Sequence, residues 1–573
     1  MQGLPTTERP AQEVSRFPVT LPRPDAQAAA AAPPVPVSLI LIVVILGNVL
    51  GPLYSSTANV VLPNLEASFA TDVDTMEWAV TGYMLGFSIA MPVAGWLGDR
   101  FGRRSVYLFG IGMFALFSIL VSVSWDSTSL IVFRILQAMA GGLVSPTGLA
   151  LVNEAVPPAQ RGRALGLWGM GMMLAPAFGP WLSGWVVDTY DDWRPIFLLG
   201  VPLSIVAFVL AWRVLPRTER RTLVKTPFDA VGFLALTISL SALLVPLSQG
   251  SRVGWDDGWV EGSFVLSLAA FVFFVVHELR TPWPMLDLHL FDNRTFTLAV
   301  VLRAVLAVGY YTAIYLLPLF TQTMLGWTPT LAGFALVPGG IIMALSMPVA
   351  GMLNDRYGTR PLALAGFVLL ALGTYDFSHI DFGWDVGHIA LVNIVRSVGL
   401  ACLFTPLTSA ALGTVAPARA GYASGIVNTV WQVCGSVGIS LAQAFFDART
   451  WARYSDAVGY ASQSRVAVQH ALEQSQTLLQ HAGPMPANAA LSILQIRFAN
   501  AAQVLAYGDT FVVATVVVAL AIPFAFMLPG GLRRRGIAER DGHGAVDVEA
   551  SAAFGRGADV IGGRAEQLLH LGG

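Results

Sequence analysis

The sequence predicts an all-α polytopic membrane protein with 14 transmembrane helices: two six-helix halves and two further helices inserted between them. Three observations carry this expectation. The 573 residues are 55% hydrophobic and only 12% charged, with a mean hydropathy of +0.64, too apolar for a soluble multidomain enzyme. Fourteen runs of about 20 apolar residues follow one another. One segment also occurs twice: PVAGWLGDRFGRR from Pro92 returns as PVAGMLNDRYGTR from Pro348, 256 positions later, with proline, glycine, aspartate and arginine in register. Two membranous halves sharing one signature point to a transporter.

Residues 1–36 are rich in Pro and Ala and carry Arg9, Arg16 and Arg23. Their alanine run precedes the first apolar segment, the wrong order for a cleaved signal peptide, so a disordered cytoplasmic tail is expected. The spans follow at 37–60, 77–98, 105–124, 129–152, 164–187, 194–213, 229–249, 262–279, 296–321, 331–353, 361–378, 387–412, 421–446 and 508–528. The repeated loop joins spans 2 and 3, then spans 10 and 11. The N-terminal half is therefore 37–215, the inserted pair with its links 216–294, and the C-terminal half 295–530, before a cytoplasmic tail at 531–573.

Alternate loops differ in charge. One set carries Arg100, Arg103 and Arg104; Arg161 and Arg163; Arg213, Arg217, Arg220, Arg221 and Lys225; Arg280 and Arg294; Arg356 and Arg360; Arg419; and Arg533 to Arg535. The other carries acids such as Asp72, Asp126, Asp188, Asp256 and Asp381. By the positive-inside rule the basic loops and both termini are cytoplasmic, which independently requires an even number of spans. The long segment after span 13 is external. Within it Val468, Leu472, Ser475 and Leu479, then Leu494, Phe498, Ala501 and Leu505, follow helical spacing around a turn at Gly483 to Pro486. This predicts an amphipathic hairpin over 450–506, either docking a partner or lying on lipid headgroups.

Other classes find little support. Cys402 and Cys434 both lie in apolar runs, which argues against a disulfide framework or a thiolate metal site. No basic field suggests nucleic acid, and no cofactor or metal is expected. The spans hold no His/Asp/Glu metal cluster and no nucleophile with a base in reach, so the chain does not read as an enzyme.

Four features carry a family resemblance: the duplicated GWLGDRFGRR loop; Arg134-Ile-Leu-Gln137 with Gly141 and Gly142 in span 4; APAFGPWLSG from Ala175 to Gly184 in span 5; and DWRPIFLLGVP, the PMLDLHLF link and Ala506-Tyr-Gly-Asp509. With them the chain resembles the major facilitator superfamily, and within it the fourteen-span drug/proton antiporters of the EmrB/QacA type. The resemblance implies the major facilitator fold and proton-coupled export of amphiphilic drugs by alternating access. It also implies a bacterial inner (cytoplasmic) membrane, antibiotic resistance as a consequence, and possible work with a membrane-fusion adaptor and an outer-membrane channel.

It further implies roles for residues. Asp99, with Arg100, and its counterpart Asp355 become latches between the halves. Because Thr359 replaces the first of the paired arginines, Asp99→Ala is expected to impair turnover more than Asp355→Ala. Arg134 and Gln137 become part of proton coupling, with plain structural packing as the alternative, while Asp509, Asp376, Glu154 or Asp99 would carry the proton. Pro176, Gly179, Pro180 and Gly184 act mechanically, bending span 5 and letting neighbours approach.

Two departures from the family pattern bear on substrate. Tyr54 stands where relatives place an aspartate in span 1, and Trp431 where they place an arginine in span 13. No carboxylate falls at mid-membrane, whereas Arg134, Arg303 and Arg396 do. A lipophilic cation would want a facing acid, so neutral or weakly acidic amphiphiles are expected. Candidate lining residues are Tyr54, Tyr83, Trp168, Met172, Arg303, Tyr310, Tyr311, Gln322, Asn428, Trp431 and Gln432; for any one aromatic or methionine, ordinary packing is the competing reading. Two other functions stay open at this point: a transport-inactive membrane sensor, and an exporter of a dedicated metabolite without proton coupling.

Overall fold

A computed structural model describes residues 36–157, 160–216, 227–416, 419–463 and 489–530. The expectations for the two terminal tails, for Arg217, Arg220, Arg221 and Lys225, for the helix through Val468, Leu472, Ser475 and Leu479, and for the turn at Gly483 to Pro486 lie outside these residues. Long helices succeed one another as α1 Val37–Phe69, α2 Val73–Phe101, α3 Arg103–Ser122, α4 Ser127–Ala155, α5 Arg161–Tyr190, α6 Arg194–Val214, α7 Ala230–Val253, α8 Gly258–Arg280, α9 Arg294–Thr323, α10 Pro329–Tyr357, α11 Thr359–Asp376, α12 Val386–Leu412, α13 Ala420–Gln463 and α14 Ala489–Ala519. Thirteen of them are long and apolar enough to cross a membrane. The exception is α5, whose glycine-rich surface packs against α1 and α10 rather than lipid.

Aspartates start several helices at the acidic end. Asp72, Asp126 and Asp385 each accept a backbone N–H from the first turn, of Thr75, Ser129 and His388. At Asp126 the backbone N–H of Ser129, then its hydroxyl, hold the carboxyl below the usual range. At the other end the helix pairs α2/α3 and α10/α11 are joined by Gly102 and Gly358, at φ +86° and +85°, a left-handed conformation that disfavours any other residue.

Helices α1 to α6 form one bundle and α9 to α14 the other. They meet along two seams, α5 against α10 and α2 against α13. The inserted pair is tied to itself by reciprocal bonds between Ser239 and Ser267, each hydroxyl donating to the other's carbonyl at 3.2 and 2.9 Å. Its first member, α7, covers the α2 and α13 seam, while the outer face of α8 is largely exposed, as a lipid-facing helix requires.

The described parts of the expected 450–506 hairpin, 450–463 and 489–506, belong to long helices. Helix α13 runs on 17 residues past its predicted end at 446, and α14 begins 19 residues before its predicted start at 508. At 44 residues α13 is about 66 Å long against a hydrocarbon core of about 30 Å. The described parts of the hairpin are thus continuations of two spans. Their packing face is also shifted: Leu494, Ala502 and Ala506 are buried, whereas Leu505 is 53% exposed. The buried face of α14 steps by four residues here, so it falls one position after the stripe through Ala501 and Leu505.

Candidate functional site

The repeated loops sit at the basic end, and each brings a glycine against the other half. A side chain at Gly95 would stand 3.1 Å from the Gly421 carbonyl at the start of α13, and one at Gly351 would collide with the Gly162 carbonyl at the start of α5. Both seams are therefore closed at this end by backbone contact that only glycine permits. The arginines of the loops also have specific partners. Arg104 donates to the Trp212 carbonyl at the end of α6, and its counterpart Arg360 donates at 2.7 Å to the Leu528 carbonyl beyond α14. Each ties the third helix of its half to the chain leaving the sixth, satisfying carbonyls that a helix end leaves open. Topology anchoring alone did not foresee this. Arg100 lies 5.9 Å from the ring centres of Trp96 and Phe101.

The two acids part company here. Asp99 faces Arg103 of its own half at 3.6 Å, and Arg103 also pairs with Glu154. Asp355 instead crosses the seam: its two oxygens accept the backbone N–H groups of Gly162 and Arg163, at 3.1 and 3.2 Å. The cross-half contact falls on the second copy, Asp355, while Asp99 pairs within its own half. Thr359 is the reason. It donates its hydroxyl to Asn354 at 3.0 Å, leaving no cation at its position to draw Asp355 back as Arg103 draws Asp99. At the acidic end the same seam is tied by Thr330, which donates to Asp188 at 2.6 Å. Within α5, a side chain at Gly184 would stand 3.1 Å from the Thr330 backbone nitrogen across the seam, and one at Gly179 would meet Leu53 of α1 at 3.0 Å. Pro176 and Pro180 lie inside the continuous helix.

Midway along the bundle lie three buried arginines. Arg134 is enclosed by acceptors: Nε donates to the Ala79 carbonyl at 3.4 Å, Nη1 to Gln137 at 3.0 Å and Nη2 to the Tyr54 carbonyl at 3.1 Å. Its guanidinium lies 4.2 Å from the Tyr83 ring centre and 5.3 Å from that of Phe197. Gln137 passes the chain on, donating to Ser118 at 2.7 Å. Among the described residues no carboxylate pairs with Arg134. Tyr54 replaces the family acid with a backbone carbonyl, while its hydroxyl donates to Ile196 at 2.9 Å and tethers α1 to α6. Tyr83 likewise donates to Gly51 at 2.8 Å. Both tyrosines thus surround the arginine with their polar atoms engaged.

The second half gathers most of the other candidates. Trp431 is 1% exposed, with ring centres 5.6 Å from Tyr310, 5.8 Å from Tyr311 and 5.1 Å from Phe404; Trp168 of the first half stacks on Phe404 at 6.2 Å. Arg303 lies over Phe404 at 4.1 Å and Trp431 at 5.1 Å, and donates through Nη1 to Thr408. An arginine at 431 would set a second cation against Arg303; tryptophan gives it a ring face instead. Tyr311 donates to Gln432 at 3.4 Å, and Asn428 donates back to Ser424 at 2.9 Å. Met172 is buried in α5. Gln322 is apart from this group, about 28 Å along α9 from Arg303.

Asp509 does not join the central group either. Its carboxylate accepts from Arg449 at 2.9 Å and twice from Arg453 at 3.0 Å, clamping α14 to the extension of α13. A carboxylate held by two guanidiniums suits the docking of one helix on another. The sequence reading passed over Arg396 as a site residue. It lines a cavity of about 30 Å³ with Met173, Tyr310, Met343, Asn393 and Ser397. The Asn393-x-x-Arg396 spacing, an inverted echo of Arg134-x-x-Gln137, was the available signal.

This arrangement has known counterparts. Residues 44–439 match the Major Facilitator Superfamily. The chain belongs to that superfamily. It is 32% identical over 401 residues to the multidrug resistance protein B homolog of Mycobacterium tuberculosis, covering 69% of this chain and 74% of the relative. Against the multidrug export protein EmrB of Escherichia coli K12 it is 31% identical over 402 residues, covering 69% and 77%. Against the fatty acid resistance protein FarB of Neisseria gonorrhoeae it is 29% identical over 398 residues, covering 69% and 78%. Among solved structures, the proton:xylose symporter XylE shares the fold with a TM-score of 0.53 at 14% identity, covering 86% of this chain and 96% of that one. The chain is a multi-pass membrane transporter of the major facilitator type, not an enzyme.

Proposed function

We propose that this transporter is a proton-coupled exporter of amphiphilic compounds, chiefly neutral or weakly acidic ones, working by alternating access of its two halves. The observation that carries the reading is the aromatic and arginine chamber of the second half. Arg303 and Arg396 are buried there beside Trp431, Tyr310 and Phe404, and no described carboxylate pairs with either arginine. Such a lining favours aromatic or anionic solutes and disfavours cations, which would meet uncompensated positive charge in a low dielectric. The names of EmrB and FarB, concerned with multidrug export and fatty acid resistance, are consistent with that chemistry.

For coupling, the acids around Arg103 are the carriers that fit best. Asp99 and Glu154 share one guanidinium beside the α2 and α13 seam, so protonating either changes what holds the basic end of the first half. The basic ends face the cytoplasm in a bacterial inner membrane, with both termini inside. The long α13 and α14 extensions, pinned by Asp509, then project from the opposite face, where they can receive a membrane-fusion adaptor that leads to an outer-membrane channel. Export of dodecanoate, a phenolic acid and a lipophilic dication from cells expressing the protein tests the substrate class: the first two should leave faster than in cells lacking it, and preference for the dication would overturn the reading.

A further inference from the structure

The three buried arginines differ in how many of their donors are satisfied, and the difference separates scaffold from site. In Arg134 all three guanidinium nitrogens have acceptors. Arg303 leaves Nε and Nη2 without partners, but two aromatic rings cover its face. Arg396 is 3% exposed and donates through Nη2 to Asn393 at 3.3 Å, while Nε and Nη1 are buried with no acceptor among the described residues. Arg396 also lines a cavity. That cavity, of about 30 Å³, has room for a group of two oxygens rather than a side chain. Asn393, Ser397 and Tyr310 share its wall, and Met173, Ile314, Leu336, Met343 and Leu400 give it an apolar side. Buried donors without acceptors are costly, and a guanidinium more than most. A carboxylate would supply both the acceptors and the charge.

We propose that Arg396 is the anchor for the carboxylate of an exported amphiphile, with Asn393 and Ser397 beside the headgroup. This rests on the export reading above and narrows it to anions at one defined residue. Met173 is the first half's contribution to an otherwise second-half cavity, so an occupant touches both halves and is gripped differently as they separate. Arg396 binds substrate directly, and Arg134, its positional counterpart, holds helices.

Binding of dodecanoate and of dodecanamide, which has the same tail and a neutral head, tests this with the full-length protein in nanodiscs at pH 8. The wild type should prefer dodecanoate by about ten- to hundredfold, as a charge-assisted contact in place of a neutral one predicts. Arg396→Gln should abolish that preference, with dodecanoate affinity falling at least tenfold; Arg396→Lys, which keeps the charge on a different stem, should retain part of it. Equal binding of the two ligands by the wild type, or a preference that survives Arg396→Gln, overturns the anchor. If both ligands are still exported in that case, the export reading stands. If neither ligand binds or is exported, both fail.

Discussion

Replacing Asp355 by alanine removes the two bonds that join the end of α10 to the first turn of α5 across the seam, at 3.1 and 3.2 Å. The turn itself is made by Gly358, and Thr359 keeps its bond to Asn354. A carboxylate at an exposed helix N-terminus contributes about 0.3–1 kcal/mol through the macrodipole, and each net hydrogen bond about 0.5–1.5 kcal/mol. Allowing for solvent, the contact stabilises the state closed at the basic end by roughly 1–2 kcal/mol, so its loss should raise the open-to-closed ratio by about 5- to 30-fold. Spin labels at Trp212 and Met527, both exposed near the basic end of opposite halves, report that ratio as a distance distribution. Asp355→Ala should enlarge the long-distance population. Asp99→Ala should change it by less than about threefold, since Asp99 faces Arg103 in its own half and Arg103 keeps Glu154. If Asp99→Ala opens the basic end and Asp355→Ala does not, the assignment of the cross-half contact is wrong.

Other consequences follow from particular contacts. Gly351→Val places a side chain against the Gly162 carbonyl, and overpacking of this kind costs about 1–3 kcal/mol; it should hold the basic end apart and reduce transport at normal expression, and the same labels would report it. Arg134→Leu leaves the Ala79 and Tyr54 carbonyls and the Gln137 amide without their donor, and should lower the melting temperature by several degrees, in keeping with a loss of about 1–3 kcal/mol for unsatisfied buried groups. Asp509→Asn weakens the clamp on Arg449 and Arg453; hydrogen exchange over residues 449–463 should quicken while substrate-driven proton movement persists, and loss of proton movement would identify Asp509 as a carrier.

The helix succession, the duplication and the family were legible because hydropathy and a repeated turn are local properties of a sequence. What required three dimensions was competition for partners. Asp99 and Asp355 occupy the same place in the repeat, and only the side chain four positions on, Arg103 or Thr359, decides which acid turns inward and which crosses the seam. Arg134, Arg303 and Arg396 look alike as intramembrane cations, yet they differ in acceptors, which come from distant helices. Tyr54 was noticed as a missing acid, but the carbonyl that replaces the acid belongs to its own backbone and has no sequence signature. The stretch from Leu494 to Leu505 reads in sequence as a helix of its own because the apolar run begins at the expected bilayer edge, while the helical hydrogen bonding of α14 begins earlier.

Proton movement in proteoliposomes containing only this protein addresses the proposed mechanism most directly. With a pH-sensitive dye inside and a proton gradient imposed, adding dodecanoate to the side of the basic loops should dissipate the gradient in the wild type at a rate that saturates with substrate. Glu154→Gln should slow that dissipation at least tenfold, while Asp509→Asn should leave it close to wild type. Dodecanoate transport with no protein-dependent proton movement would contradict exchange with protons and leave a uniporter in its place.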